Sequence, residues 1–366
     1  MKIDVNPKML IWAREEAGMS IKDVTDKLKL QISDLTQWEL DGREIFFATL
    51  ELIARLYKRQ TAIFFLSNEP ARLKKPKDCR NLAVDNGNFS PETMLAIRRT
   101  ERYLHTAREL LGETYWNKQY EWLKKFNGKT ENINKEILLL KELLELNDST
   151  KSRQKSDIVF KNWRTKIEEK LGIFVFQFPM SGNELDGFSY AFDNFPYAIV
   201  VNKQNASVRK IFTIFHELFH ILKHNPGACK PDYSINQLNI EFECNTFAGK
   251  FLVPKEYLNS TNSVDEIFKL ARSLNISGEV YLRRLFEENK ISKNSFFQLL
   301  NIVKERSNRF SREKKKLKGF PSRTIISKST RGNKFFNMIM DATISNKISY
   351  SSASDLLGLK VCNIRL

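Results

Sequence analysis

His216-Glu217-Leu218-Phe219-His220 sets two histidines one helical turn apart with a glutamate between them, inside the apolar-periodic run from Ile211 to Leu222. The chain has four histidines, and three of them, His216, His220 and His224, fall within nine residues. On a helix, residues four apart differ by about 40° in rotation, so the imidazoles of His216 and His220 reach one metal ion and Glu217 follows on the same turn. The run is apolar over most of its girth and is expected to be buried, and buried histidines need partners. A Zn²⁺ ion with a few protein ligands and an open position brings the pKa of its water to about 7; a neighbouring carboxylate takes the proton and passes it to a leaving amine. These five residues point to peptide-bond hydrolysis. The plainer reading is a pair of hydrogen-bonded core histidines, for which a core helix has little reason to add a carboxylate.

A third ligand is expected from a second helix, Ile240 to Pro254. Glu241 and Glu243 lie about 200° apart on it, so only one faces the metal. Ile240, Cys244, Phe247, Ala248 and Phe251 form the apolar stripe, with Glu241 on one flank and Glu243 on the other. Periodicity does not choose between them. His224 is rotated about 80° from His216 and is assigned a capping or supporting role. Three β-rich runs precede the histidine helix: 174–178, 187–192 and 197–201, punctuated by Asn183, Gly187, Asp193-Asn194 and Pro196. They are expected to form a short antiparallel-type sheet packed on the H-E-x-x-H helix.

From about Asp186 to Pro254 the chain resembles the ImmA/IrrE family of zinc metallo-endopeptidases. The resemblance is carried by Asp186-Gly187-Phe188, by Tyr197 to Asn202, and by Arg209 ahead of Phe212-Thr213. It continues through H-E-x-x-H with His224 behind it, and through Glu241-x-x-Cys244-Asn245-x-x-Ala248 ending in Leu252-Val253-Pro254. It implies a zincin-like domain in which His216, His220 and Glu241 hold Zn²⁺, with Glu243 as the alternative ligand and Glu217 as the catalytic base. It also implies an exposed edge strand on which a substrate peptide lies. Members of the family act by cutting a helix-turn-helix repressor, which derepresses stress-response or mobile-element genes, so the implied partner is such a protein. One departure stands out: the family usually has glycine where this chain has Phe219, which either crowds the wall beside the metal or packs on a different neighbour.

The N-terminus reads separately. Residues 10–66 divide into four or five short helices, with a turn at Gly18, Ser20 as N-cap for Ile21 to Leu28, a helix from about Ile32 to Glu39, a stop at Asp41-Gly42, and another helix from Ala48 to Leu56. The run looks like an Xre/Cro-type helix-turn-helix domain in which Gln31, Ser33, Thr36 and Gln37 face base edges. Residues 1–70 hold ten Lys and Arg against eleven Asp and Glu, and the recognition helix has no cation. Phosphate contacts dominate DNA affinity, so a neutral module binds DNA weakly unless it dimerises or borrows charge; docking onto another helix-turn-helix protein is the competing role.

Most of the formal net charge of +17 lies at the far end, where residues 281–366 carry nineteen Lys and Arg against six acids, densest from Lys304 to Lys318. A solvated helix face or linker accounts for such a run; a nucleic acid or an acidic partner surface is the sharper alternative. Between the two recognisable parts, Ser90-Pro91-Glu92 opens a helix to about Leu111, and Glu136 to Leu146 forms a further amphipathic stretch. Trp116, Trp122 and Trp163 have core spacing, and His105 is read as a partly buried structural histidine. A compact helical tail is expected from Gly332, with a helix starting at Ile348-Ser349.

The whole is therefore expected to be multidomain, mainly α with a small α+β part: a helix-turn-helix bundle over 1–70, a helical linker region over 71–155, a zinc metallopeptidase domain over 156–300 and a basic helical region over 301–366. The apolar content of 42% is enough for two or three cores. No run of roughly eighteen apolar residues offers a membrane span, the start lacks the apolar core of a signal peptide, and the four cysteines form no C-x-x-C pair. A cytoplasmic location is expected. The rival class is a DNA-binding transcriptional regulator or antitoxin-like protein whose metal domain does not hydrolyse anything.

Overall fold

The structure is a computed structural model that describes residues 1–70, 89–126, 132–146, 154–182, 184–191, 195–223, 235–312 and 321–364. The described chain divides into two compact units, the first drawn from 1–70, 89–99 and 179–184, the second from 100–178 and 185–364.

In the first unit, β1 (Lys2–Ile3) is followed by α1 (Pro7–Glu16), α2 (Ile21–Leu28), α3 (Ile32–Asp41), β2 (Ile45–Phe46) and α4 (Phe47–Tyr57). The two short strands pair antiparallel. The first two helices start where a polar side chain or a proline satisfies the first turn. Asn6 Oδ1 accepts from Lys8 N ahead of Pro7, and Ser20 and Asp23 cap each other's backbone at the start of α2. Gly42 ends α3 at φ +71°, where a Cβ would lie 2.1 Å from the Val5 carbonyl oxygen, so no other residue fits without moving the backbone. The core gathers Met9, Leu10, Trp12, Val24, Leu35, Ile53 and Phe64. A bidentate pair, Arg14 Nε to Glu39 Oε1 at 2.7 Å and Nη2 to Oε2 at 2.9 Å, ties α1 to α3 under partial burial.

The helix expected from Ser90 begins on schedule as α5 (Pro91–Gln119), and its helical backbone breaks at Gly112, where φ is 77° and ψ is 164°. That break matches the stop expected near Leu111, but seven further helical residues follow it. There Trp116 is fully buried and its Nε1 donates to the Ala107 carbonyl at 3.2 Å, a packing role. His105 differs from expectation: it is exposed and paired with Glu109 at 3.2 Å, because its position on α5 points away from the buried stripe of Tyr103, Leu104 and Ala107.

The second unit continues with α6 (Ile133–Leu143), α7 (Ser156–Lys166), β3 (Phe174–Phe178), β4 (Gly187–Ala191), β5 (Tyr197–Asn202), α8 (Ser207–Lys223) and α9 (Ile235–Leu252). It closes with α10 (Val264–Ser273), α11 (Gly278–Glu287), α12 (Lys293–Arg312), α13 (Arg323–Arg331), α14 (Asn333–Ile344) and α15 (Tyr350–Leu357). The three strands fall where the β-rich runs were expected, but the sheet is mixed and not antiparallel throughout. Its order is β3-β5-β4, with β5 antiparallel to β4 (Gly187 opposite Val201) and parallel to β3 (Phe174 opposite Ala198). β5 is buried along its whole length, as a central strand should be, but β3 is equally buried at the edge because α13 covers it, so apolar content alone does not choose the middle strand.

α8 packs across β4 and β5. Gly187 permits the close approach, since a Cβ there would sit 2.5 Å from both Thr213 Cγ2 and the Val200 oxygen. The far edge, β3, is covered by α13: Gln177 Nε2 donates to the Ser329 carbonyl at 2.8 Å, and Arg164 Nη1 reaches the same oxygen at 2.6 Å. Arg164 is paired with buried Glu168, whose Oε2 accepts from the Asn333 and Lys334 amides at 3.0 and 3.2 Å, an anion at the start of α14. Phe335 of α14 packs among Tyr103, Phe174 and Phe176. The helices past 320 are thus part of the core that holds the sheet, and the boundary expected at 300/301 falls inside α12. Much of the basic run from Lys304 to Lys318 lies outside the described residues. Among the described residues no helix is long and apolar enough to cross a membrane.

Candidate metal centre

Two ring stacks set α8 against α9, and a third ring contact ties α8 to α7. Phe215 stacks on Phe251 with centroids 4.3 Å apart, Phe219 stacks on Phe247 at 4.3 Å, and Trp163 of α7 meets Phe215 edge-on at 5.0 Å. Phe219, the residue where the resembling family has glycine, is fully buried in this aromatic layer and packs on α9. At the start of α8, Arg209 Nη2 meets Asp186 Oδ2 at 2.8 Å and Asn205 Nδ2 donates to Asp186 Oδ1 at 2.9 Å, which ties the helix to the residue leading into β4.

With the two helices so held, His216 and His220 present their Nε2 atoms 3.2 Å apart. Glu241 of α9 brings Oε2 to 3.2 Å from His216 Nε2 and Oε1 to 3.0 Å from His220 Nε2. His216 is 0% exposed and Glu241 is 6% exposed. Both carboxylate oxygens are shielded from solvent, yet neither accepts a hydrogen bond. His216 Nδ1 lies 3.0 Å from Asn245 Oδ1, so an Nδ1–H donating there leaves the Nε2 lone pair free, aimed at an oxygen that also carries only lone pairs. Acceptors facing one another in the dry interior repel unless a cation or proton lies between them. Donors each about 2.0–2.1 Å from one ion at tetrahedral angles lie roughly 3.3 Å apart, and this triangle has that size. The residues fit a divalent metal, and a set of two imidazole nitrogens with one carboxylate suits zinc better than magnesium or calcium.

The charge balance agrees. Burial opposes charging His220, but the Cys244 sulfur, then Glu241 and Glu217, outweigh it and hold the imidazolium well above its ordinary range. Glu241 is held far below the usual carboxylate range, because the two rings overcome the burial that opposes its ionisation. Burial pushes the Cys244 thiol up against the pull of the His220 ring.

Glu217 is buried on the same turn of α8 as His216. Glu243 is turned elsewhere, to Lys223 Nζ at 3.3 Å. His224 lies outside the described residues. The sequence places Cys244 in the apolar stripe and in the motif that carries the resemblance, without a ligand role, but it offers a sulfur within 4.8 Å of a nitrogen of each ring. Its spacing of three from Glu241 was the available signal, as was the spacing of four for Asn245, for both fall near the Glu241 face of α9. In the first unit Gln31, Ser33, Thr36 and Gln37 are all exposed at or on α3, but Gln37 Nε2 is engaged by Asp41 at 2.7 Å and Thr36 Oγ1 donates to the Ile32 carbonyl at 2.8 Å.

No curated protein and no solved structure matches the chain. Residues 168–286, which contain the sheet, both site helices, α10 and nearly all of α11, match the family model of the IrrE N-terminal-like domain, peptidase M78. That segment is similar to a metallopeptidase domain, and the match supports a peptidase function for it.

Proposed function

We propose that the chain is a zinc-dependent metallo-endopeptidase whose protein substrate is a helix-turn-helix transcriptional repressor. The observation that carries the reading is the buried convergence of His216 Nε2, His220 Nε2 and the unpartnered Glu241 carboxylate on one point. A zinc ion bound there would supply Lewis acidity, bringing the pKa of a water toward about 7 and polarising a peptide carbonyl. Glu217 takes the water proton on its carboxylate and hands it to the departing amine nitrogen. Asn245 fixes the His216 ring through Nδ1, and Glu241 neutralises charge on the other side. The substrate lies as an extended strand along β4, beside which, among the described residues, only β5 pairs; main-chain hydrogen bonds along that edge would hold the scissile carbonyl in register.

The first unit serves in this reading as a docking module for protein rather than as a strong DNA binder. Its α3 carries no Lys or Arg and exposes Ile32 (58%) and Leu40 (75%). A DNA-reading face is expected to hold phosphate-binding cations. Cleavage of the repressor would switch on the genes it silences. The test is mass spectrometry of helix-turn-helix repressors from neighbouring genes, incubated with the zinc-loaded protein and with Glu217→Gln. The variant is expected to keep its zinc and lose cleavage by about 10² to 10⁴. Cleavage at the wild-type rate by Glu217→Gln would remove Glu217 from the mechanism, and no cleavage of any repressor by the wild type would sink the substrate assignment.

A further inference from the structure

Cys244 is fully buried, outside any disulfide, and three residues beyond Glu241 on α9, so both side chains look toward α8. Its sulfur, a nitrogen of His216 and a nitrogen of His220 all lie within 4.8 Å of one another. The independent sign that this point takes a ligand is Glu241, nine-tenths buried, with both carboxylate oxygens unpartnered and directed at the same two rings.

Resting on the metallopeptidase reading, we propose that Cys244 is a fourth protein donor to the ion held by His216, His220 and Glu241, which closes the resting site until water displaces the sulfur. Zinc sites with four protein donors are closed and structural, whereas catalytic sites keep one position for water. A set of two imidazoles, one carboxylate and one thiolate completes the shell, so hydrolysis requires the sulfur to withdraw. The binding step is balanced: the Sγ–H bond breaks, its proton leaves to solvent, and the freed sulfur lone pair forms the bond to the ion. Nothing is oxidised or reduced. The soft sulfur also biases the site toward zinc over hard cations. A thiol that merely oriented the His220 ring would make no bond to the metal.

Cobalt(II) substitution of the full-length protein separates these roles, because cobalt bound to a thiolate shows a near-ultraviolet charge-transfer band. With one equivalent of Co²⁺ the wild type is expected to show the band, Cys244→Ala to lose it, and a chain with Cys79, Cys229 and Cys362 all changed to Ser to keep it. Should Cys244→Ala not fold, the triple variant decides alone, since its one remaining cysteine is Cys244. Zinc affinity of Cys244→Ala should fall at least about 10-fold, the loss that even a supporting partner costs, while its peptidase rate rises because the water position is open. Cobalt uptake without the band, or a band that persists in Cys244→Ala, overturns the cysteine proposal and leaves the metallopeptidase reading intact. A wild type that takes up no cobalt, or an uptake unaffected by His216→Ala, overturns both.

Discussion

Asn245→Ala isolates the described contact to Nδ1 of the inner imidazole. His216 is wholly buried, and its Nδ1 meets Asn245 Oδ1 at 3.0 Å. Removing the acceptor frees the ring to rotate or to move its proton to Nε2, where the metal should bind. Partners of this kind are worth about 10- to 100-fold in metal affinity, or roughly 1.4 to 2.7 kcal/mol. Asn245 is itself exposed, so a water can follow the truncation and accept the Nδ1 proton; the loss should therefore lie at the lower end, near 10-fold. Asn245→Asp keeps an acceptor and adds a charge, and it should bind zinc at least as tightly as the wild type. The assay is competition for zinc against a chromophoric chelator at fixed pH, with urea unfolding of each metal-free chain to confirm the fold. If Asn245→Ala folds normally and binds zinc with unchanged affinity, the reasoning from His216 Nδ1 is wrong.

Three other outcomes follow from the packing. Glu168→Ala leaves Arg164 buried without its charge partner and strips two amides at the start of α14 of their acceptor, so urea unfolding should show a loss of about 3–5 kcal/mol; a loss below 1 kcal/mol would mean the helices past 320 are not coupled to the sheet. Gly187→Ala drives a methyl to within 2.5 Å of Thr213 and the Val200 oxygen, and the overpacking should cost about 1–3 kcal/mol in the same measurement. Leu40→Asp on the exposed face of α3 should leave hydrolysis of a short peptide unchanged while weakening cleavage of an intact repressor; equal effects on both substrates would argue against a docking role for the first unit.

Local chemistry made much of this legible in advance. Capping signals at Ser20 and Ser90, the stop at Gly42 and the alternation of β-rich runs with turn residues all act within a few residues, and the helices and strands begin and end close to where those signals lie. The spacing of His216 and His220 alone brings their rings together, and the opposite flanks of α9 separate Glu241 from Glu243. Long-range pairing was not legible. Nothing local in Phe174 to Phe178 says that β5 enters between β3 and β4 and runs parallel to the former. The coupling of Glu168 to the α14 amides spans more than 160 residues of chain, so a region that reads as a basic tail turns out to hold the core. Cys244 was masked by its own apolarity, since a buried cysteine in an aromatic stripe looks like any other packing residue.

The central claim is that two imidazoles and the Glu241 carboxylate share one zinc ion. Diffraction from crystals of the full-length protein grown with zinc, recorded on both sides of the zinc absorption edge, tests it most directly. The account predicts an anomalous peak within about 2.2 Å of His216 Nε2, His220 Nε2 and a Glu241 oxygen. A peak bound elsewhere, or none between α8 and α9, would contradict it.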